Sequence, residues 1–194
     1  MDVTLKVERS MEFPPVALES VDIPVSARPV ALSTHSAGRR DKTTRAVTVK
    51  VAARIEAAPE RVFAAWLDPA IAKRWLFATA SQPVVFVEID ARVGGAFRFV
   101  ERRRGEFAVH SGRYLEIVPG RRLVFSLVSD GRTQLAGRVS VEFAPTRNGC
   151  KIAVTHENVA RDRAHDSEGR WCGMLYGLDL TLDSIRRNAT KDCR

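Results

Sequence analysis

Six β-type runs lie between Val84 and His156 with only turn-length stretches separating them, and that spacing limits how the chain can fold. The runs are Val84 to Ile89, Ala96 to Arg102, Ser111 to Val118, Leu123 to Val128, Thr133 to Phe143 and Cys150 to His156, all rich in β-branched or aromatic residues. Between them stand Asp90 to Gly95, Pro119-Gly120, Asp130-Gly131 and Arg147-Asn148-Gly149, the residue types that favour turns. A parallel crossover needs about a dozen residues or more, so consecutive runs must pair antiparallel and the sheet is expected to be a meander.

The flanks complete an α+β order. Val47, Val49, Val51, Ala53 and Ile55 alternate with Thr48, Lys50, Ala52 and Arg54, the period of a strand with one buried face. Pro59 and Glu60 then open a helix, proline where its missing N–H costs nothing and the acid at the positive end of the dipole. Val62, Phe63, Trp66 and Leu67 form its apolar stripe. Asp68-Pro69 starts a second short helix, with Asp68 as N-cap and with Ile71 and Trp75 as apolar anchors. After a polar loop at 157–167, Glu168 to Arg187 reads as the longest helix, its Trp171, Leu175, Leu178, Leu182 and Ile185 recurring at helical spacing on one face. A sheet of about seven strands with one long amphipathic C-terminal helix buries both apolar faces when the sheet curves around the helix.

Composition narrows the function. A formal net charge of +8 invites a nucleic-acid reading, but the arginines are dispersed in pairs and triplets among turns and a helix end. They read as solvated faces of a protein from a GC-rich bacterial genome, and no nucleic-acid partner is expected. No apolar stretch approaches the roughly 20 residues of a membrane span, and the N-terminus lacks a secretory apolar run, so a cytoplasmic location is expected. Cys150, Cys172 and Cys193 contain no CxxC pair, and His35, His110, His156 and His165 include no pair at metal-binding helical spacing. No metal and no cofactor is expected.

Residues 1–45 carry Pro14, Pro15, Pro24 and Pro29, with neither helical periodicity nor sustained alternation apart from the short run Val3 to Val7. They are expected to be a disordered extension, with the domain over 46–188 and a short tail over 189–194. The abrupt onset of pattern near Val47 suggests a biological start downstream of Met1, which recovery of peptides from the first forty or so residues of the native protein by mass spectrometry would disprove.

The segments AAPERVFAAWLDPAIAKRW, ARVGGAFRF, SGRYLEIVPGRRLVFSL and KIAVTHENV, followed by the tryptophan-bearing terminal helix, resemble the START-like SRPBCC superfamily. Within it they are most similar to the polyketide-cyclase-like branch related to the C-terminal domain of the activator of the heat-shock protein 90 ATPase. The resemblance covers about Val47 to Ile185 and implies the helix-grip, or Bet v 1-like, fold with a hydrophobic ligand cavity between sheet and terminal helix. It also implies a link to stress response.

Trp66, Trp75, Phe97, Phe99, Phe125, Trp171, Leu175 and Leu178 are accordingly expected to line that cavity. Gly94-Gly95 matches neither phosphate-binding glycine motif and precedes a strand, so it reads as a turn or bulge. No GxSxG elbow is present. His156, in phase with Ile152 and Val154, could serve as a general acid or base at the cavity mouth, with Glu88 and Tyr114 as weaker catalytic candidates. The leading expectation is a protein that binds a small apolar or amphipathic molecule, as monomer or dimer, without a clear catalytic constellation. A cyclase- or lyase-like enzyme in the same cavity is the first rival, and a co-chaperone-like module acting on a protein partner is the second.

Overall fold

The computed structural model describes residues 46–79, 81–103, 105–129 and 136–191, with side chains as far as Ala189. The expected N-terminal extension and the Val3 to Val7 strand lie outside the described residues. Strand β1 (Ala46–Ile55) leads into α1 (Pro59–Leu67) and α2 (Pro69–Ala72), and six strands follow. These are β2 (Val84–Ile89), β3 (Ala96–Arg103), β4 (Glu106–Val118), β5 (Arg122–Ser129), β6 (Gly137–Thr146) and β7 (Gly149–Ala160). One 3-10 turn over Arg161–Arg163 connects β7 to α3 (Ala164–Lys191).

All neighbouring strands pair antiparallel in the order β1-β7-β6-β5-β4-β3-β2, so the expected meander holds and β1 closes it beside β7. Local chemistry accounts for the short helices. Pro59 occupies the first turn of α1, and the Asp68 carboxylate accepts from the backbone N–H of Ala70 at 2.8 Å and Ile71 at 3.3 Å, capping α2 as its sequence suggests. α3 runs nearest to β1 and lays Trp171, Leu175, Leu178 and Leu182 against the sheet. Among the described residues no helix is long and apolar enough to cross a membrane.

Several boundaries differ from the sequence reading, among them the ends of β6 at Thr146 and of α3 at Lys191 instead of Phe143 and Arg187. β4 begins at Glu106 instead of Ser111, β7 runs on to Ala160, and α3 starts at Ala164 instead of Glu168. The cause at β7 is pairing: Ala46 and Val47 of β1 lie opposite Ala160 and Val159, which extends the ladder through a segment whose polarity resembles a loop. β6 begins at Gly137, and residues 133–135, where its start was expected, lie outside the described residues.

The middle of the concave face is packed solid with rings. Trp66 meets Trp75 edge-to-face at 4.8 Å and lies 6.3 Å from Trp171, while Phe97 and Phe125 meet at 5.4 Å. Such edge-on pairs add about 0.5–1.5 kcal/mol beyond the area they bury. The gap left among Trp66, Phe97, Phe99, Tyr114 and Phe125 is about 10 Å³, no more than one water would occupy.

Candidate functional site

The concave face changes character along its strands. Alternation fixes which residues look inward: Phe97, Phe99, Glu101 and Arg103 on β3, Ala108, His110 and Tyr114 on β4, and Leu123, Phe125, Leu127 and Ser129 on β5. One end of these rows is aromatic and the other polar. Over the polar end lies a cavity of about 380 Å³. Its sheet side is formed by Arg103, His110, Leu127, Ser129, Gly137 and His156. Its roof is the first part of α3, where Asp166, Ser167, Arg170, Trp171 and Met174 share one helical face. The exposed Asn158, Arg163 and Asp166 stand at its rim.

Beside the cavity is a buried ionic cluster. Glu101 is 1% exposed, and its Oε2 receives Arg103 Nη2 at 2.8 Å, His110 Nε2 at 3.0 Å and Arg170 Nη2 at 3.3 Å. Burial would raise the carboxyl pKa, but the bonds from His110 and Arg103 and the charges of the two arginines outweigh it and hold Glu101 at about 2. The ionised carboxylate only accepts hydrogen bonds, so the proton of the His110 pair resides on Nε2. His110 Nδ1 lies 3.0 Å from the Ser129 hydroxyl, from which it accepts when the imidazole is neutral and to which it donates when the ring is charged. A hydroxyl on the cavity wall is thus joined through a histidine to a carboxylate, the order of groups that activates an oxygen for proton transfer.

Phe77 clamps this line from above. Its ring stacks on His110 at 4.2 Å and 6°, its backbone N–H meets Met174 Sδ at 3.2 Å, and its φ is +59°. A bulky residue in the left-handed region costs about 1–3 kcal/mol, so the stack and the packing under α3 must offset that strain.

His156 forms a second polar point. Trp171 Nε1 donates to its Nδ1 at 3.3 Å, and Ser167 Oγ lies 3.3 Å from the same atom. Burial lowers its pKa to about 4, so the ring is neutral at neutral pH and carries its proton on Nε2. A Cβ at Gly137 would stand 2.4 Å from that Nε2, which is why only glycine leaves room for the ring.

The residues singled out in the sequence fall into separate places. His156 and Trp171 border the 380 Å³ cavity. Trp66, Phe97, Phe99, Phe125 and Tyr114 surround the 10 Å³ gap instead, and Trp75, Leu175 and Leu178 are buried core residues bordering neither space. Burial pushes the Tyr114 phenol up, far from any range useful at neutral pH. Glu88 is exposed on β2, opposite Arg98, and does not join His156 and Tyr114. The cluster of Glu101, His110 and Ser129 was not among the sequence candidates, although Glu101 repeats the phase of Phe97 and Phe99.

Residues 56–187 match the sequence profile of the family described as activator of Hsp90 ATPase homolog 1-like protein. The chain belongs to this family. Solved structures of similar proteins bear out the helix-grip fold. A crystal structure of a protein from Chromobacterium violaceum is 28% identical with a TM-score of 0.63, covering 69% of this chain and 95% of that one. One from Nitrosomonas europaea is 20% identical with a TM-score of 0.63, covering 72% and 96%. The solution structure of an AHSA1-like protein from Aeromonas hydrophila is 22% identical with a TM-score of 0.62, covering 72% and 94%. Among curated proteins none matches the chain significantly. In this member of the activator of Hsp90 ATPase homolog 1-like family, the space left on the concave face is therefore at its polar end, over Ser129 and His156.

Proposed function

We propose that this domain binds a small amphipathic molecule in the cavity beneath the first part of α3. The observation that carries the reading is an opening of about 380 Å³ next to a concave face that is otherwise filled with rings. That volume lies within the range of small-molecule sites, about 300–1,000 Å³. Its wall pairs apolar surface from Phe77, Leu127, Trp171 and Met174 with fixed polar groups at Ser129 and His156. An apolar body with a polar group fits such a wall better than a hydrocarbon does. Thermal-shift screening against lipids and aromatic acids tests the proposal, with Ala160→Phe as the control because residue 160 borders the opening. Ligands should raise the melting temperature of the native protein and lose that effect in the variant. If no compound stabilises the native protein, the reading fails.

A second reading, acid–base catalysis of the cyclase or lyase kind in the same cavity, is favoured by the line of hydrogen bonds from Ser129 through His110 to Glu101. Here Ser129 and His110 take the roles that sequence reasoning gave to Glu88 and Tyr114. Ser129→Ala should lower kcat for a bound ligand by a far larger factor than it weakens binding, and unchanged turnover would exclude this reading.

A further inference from the structure

We infer that the molecule taken up beneath α3 carries an oxyanion, a carboxylate or a phosphate, and that Arg170 and Arg163 receive it. This deepens the binding reading and rests on it. Arg103, at 2.8 Å, already supplies the counter-charge of Glu101, and Arg170 joins the same carboxylate oxygen with a longer bond of 3.3 Å. Arg170 is also 44% exposed and borders the cavity, so most of its five N–H donors remain directed elsewhere than Glu101. A planar guanidinium held at one corner presents its remaining edge in a fixed orientation, the geometry that binds oxyanions bidentately.

Arg163 adds a second cation at the rim and has no ion-pair partner among the described residues. The only acid bordering the cavity among the described residues is Asp166, which offsets one of these two charges. His156 is neutral, and its Nε2–H has no partner among the described residues, so it adds a donor instead of a charge. A cationic ligand would meet a surplus of positive charge and a wall of donors. A neutral alcohol would leave most of the Arg170 donors outside its bond to Glu101 unpaired when the ligand displaces water from them. An anion answers both.

The test compares four probes that share one apolar body: decanoate, decyl phosphate, decanol and decyltrimethylammonium, each titrated calorimetrically into the full chain. At least one anion should bind on the order of tenfold more tightly than decanol, with the ammonium weakest. Whichever anion leads identifies the head group as carboxylate or phosphate. Arg170→Ala and, separately, Arg163→Ala should each weaken anion binding by a larger factor than decanol binding, and an equal loss for both would count against a head-group role. Arg170→Lys, which keeps the charge and the ordering of α3, should retain only part of the anion preference. Decanol binding as tightly as both anions would overturn the head-group inference and leave the binding reading standing. Absence of binding by all four probes would overturn both.

Discussion

Replacing Glu101 by glutamine mimics the protonated carboxyl and so turns its ionisation into a measurable stability difference. In the folded protein the carboxyl titrates at about 2, against an ordinary value of 4.5. A lowered folded pKa contributes stability that is fully present above the ordinary value and is lost as the pH falls through the folded one. Each pH unit in that interval is worth at most about 1.4 kcal/mol, so the whole interval amounts to about 3 kcal/mol, most of it gone by about pH 2.5. The same size follows from breaking a buried pair, about 3–5 kcal/mol, taken at its lower end because Arg103 and Arg170 are 28% and 44% exposed and can recover water. The assay is urea unfolding followed by tryptophan fluorescence, since Trp66, Trp75 and Trp171 are all at most 2% exposed. Glu101→Gln should be less stable than the native chain by about 3 kcal/mol near pH 5.5, and the gap should shrink to under about 1 kcal/mol near pH 2.5. The other carboxylates are common to both proteins and cancel in the comparison. A gap that stays constant across this interval would refute the claim that Glu101 is held ionised by its arginines and His110.

Three further outcomes follow from the same geometry. The His156 imidazole, followed by NMR, should titrate near 4; because this base is lowered in the folded state, its contribution to stability is lost as the pH falls from about 6.5 toward 4, and Trp171→Phe, which removes the N–H donated to Nδ1, should move the midpoint upward. Gly137→Ala should cost about 1–3 kcal/mol in urea unfolding and displace the His156 resonances, since the added carbon has no room beside Nε2. Trp66→Ala, emptying a site that is 1% exposed at the meeting point of Trp75, Phe125 and Trp171, should cost about 3–5 kcal/mol.

The sheet was legible because its punctuation is short and chemical: with Pro119-Gly120 and Asn148-Gly149 in place, the meander follows almost without regard to packing. The site was less legible for two reasons. Segment 157–167 is polar, and polarity alone suggests a loop, whereas pairing with β1 makes its first part strand, and the 3-10 turn and start of α3 follow directly. Asn158, Arg163, Asp166 and Ser167 therefore border the cavity from a stretch that carries no periodic signal. The second reason is that the resemblance implies a cavity between sheet and terminal helix without saying where along the strands it opens. Trp66, Phe97, Phe99 and Phe125 face that space, but rings of this size fill it where they meet, leaving a gap of about 10 Å³. Glu101 could have been found by phase, as a charge in the inward register of Phe97 and Phe99 has to be paired or functional.

Why the polar end stays open while the aromatic end closes follows from what each side chain would have to give up to fill it. Apolar rings gain contacts by approaching one another, and at the Trp66 end that gain outweighs the cost of burying the Trp66 N–H without a partner among the described residues. At the other end the side chains of the sheet and of the α3 face over it are tied to one another: Ser129 to His110, His110 to Glu101, Arg103 and Arg170 to the same carboxylate, His156 to Trp171 and Ser167. Moving any of these inward to occupy the space would break a bond to a buried partner, at about 1–3 kcal/mol each. α3 cannot settle lower either, since Arg170, Trp171 and Met174 are the contacts that hold its first part at this height over Glu101, His156 and Phe77. The bonds that tie Ser129, His110, Arg170 and His156 to the wall thus hold the space open, an arrangement that suits the proposed binding role.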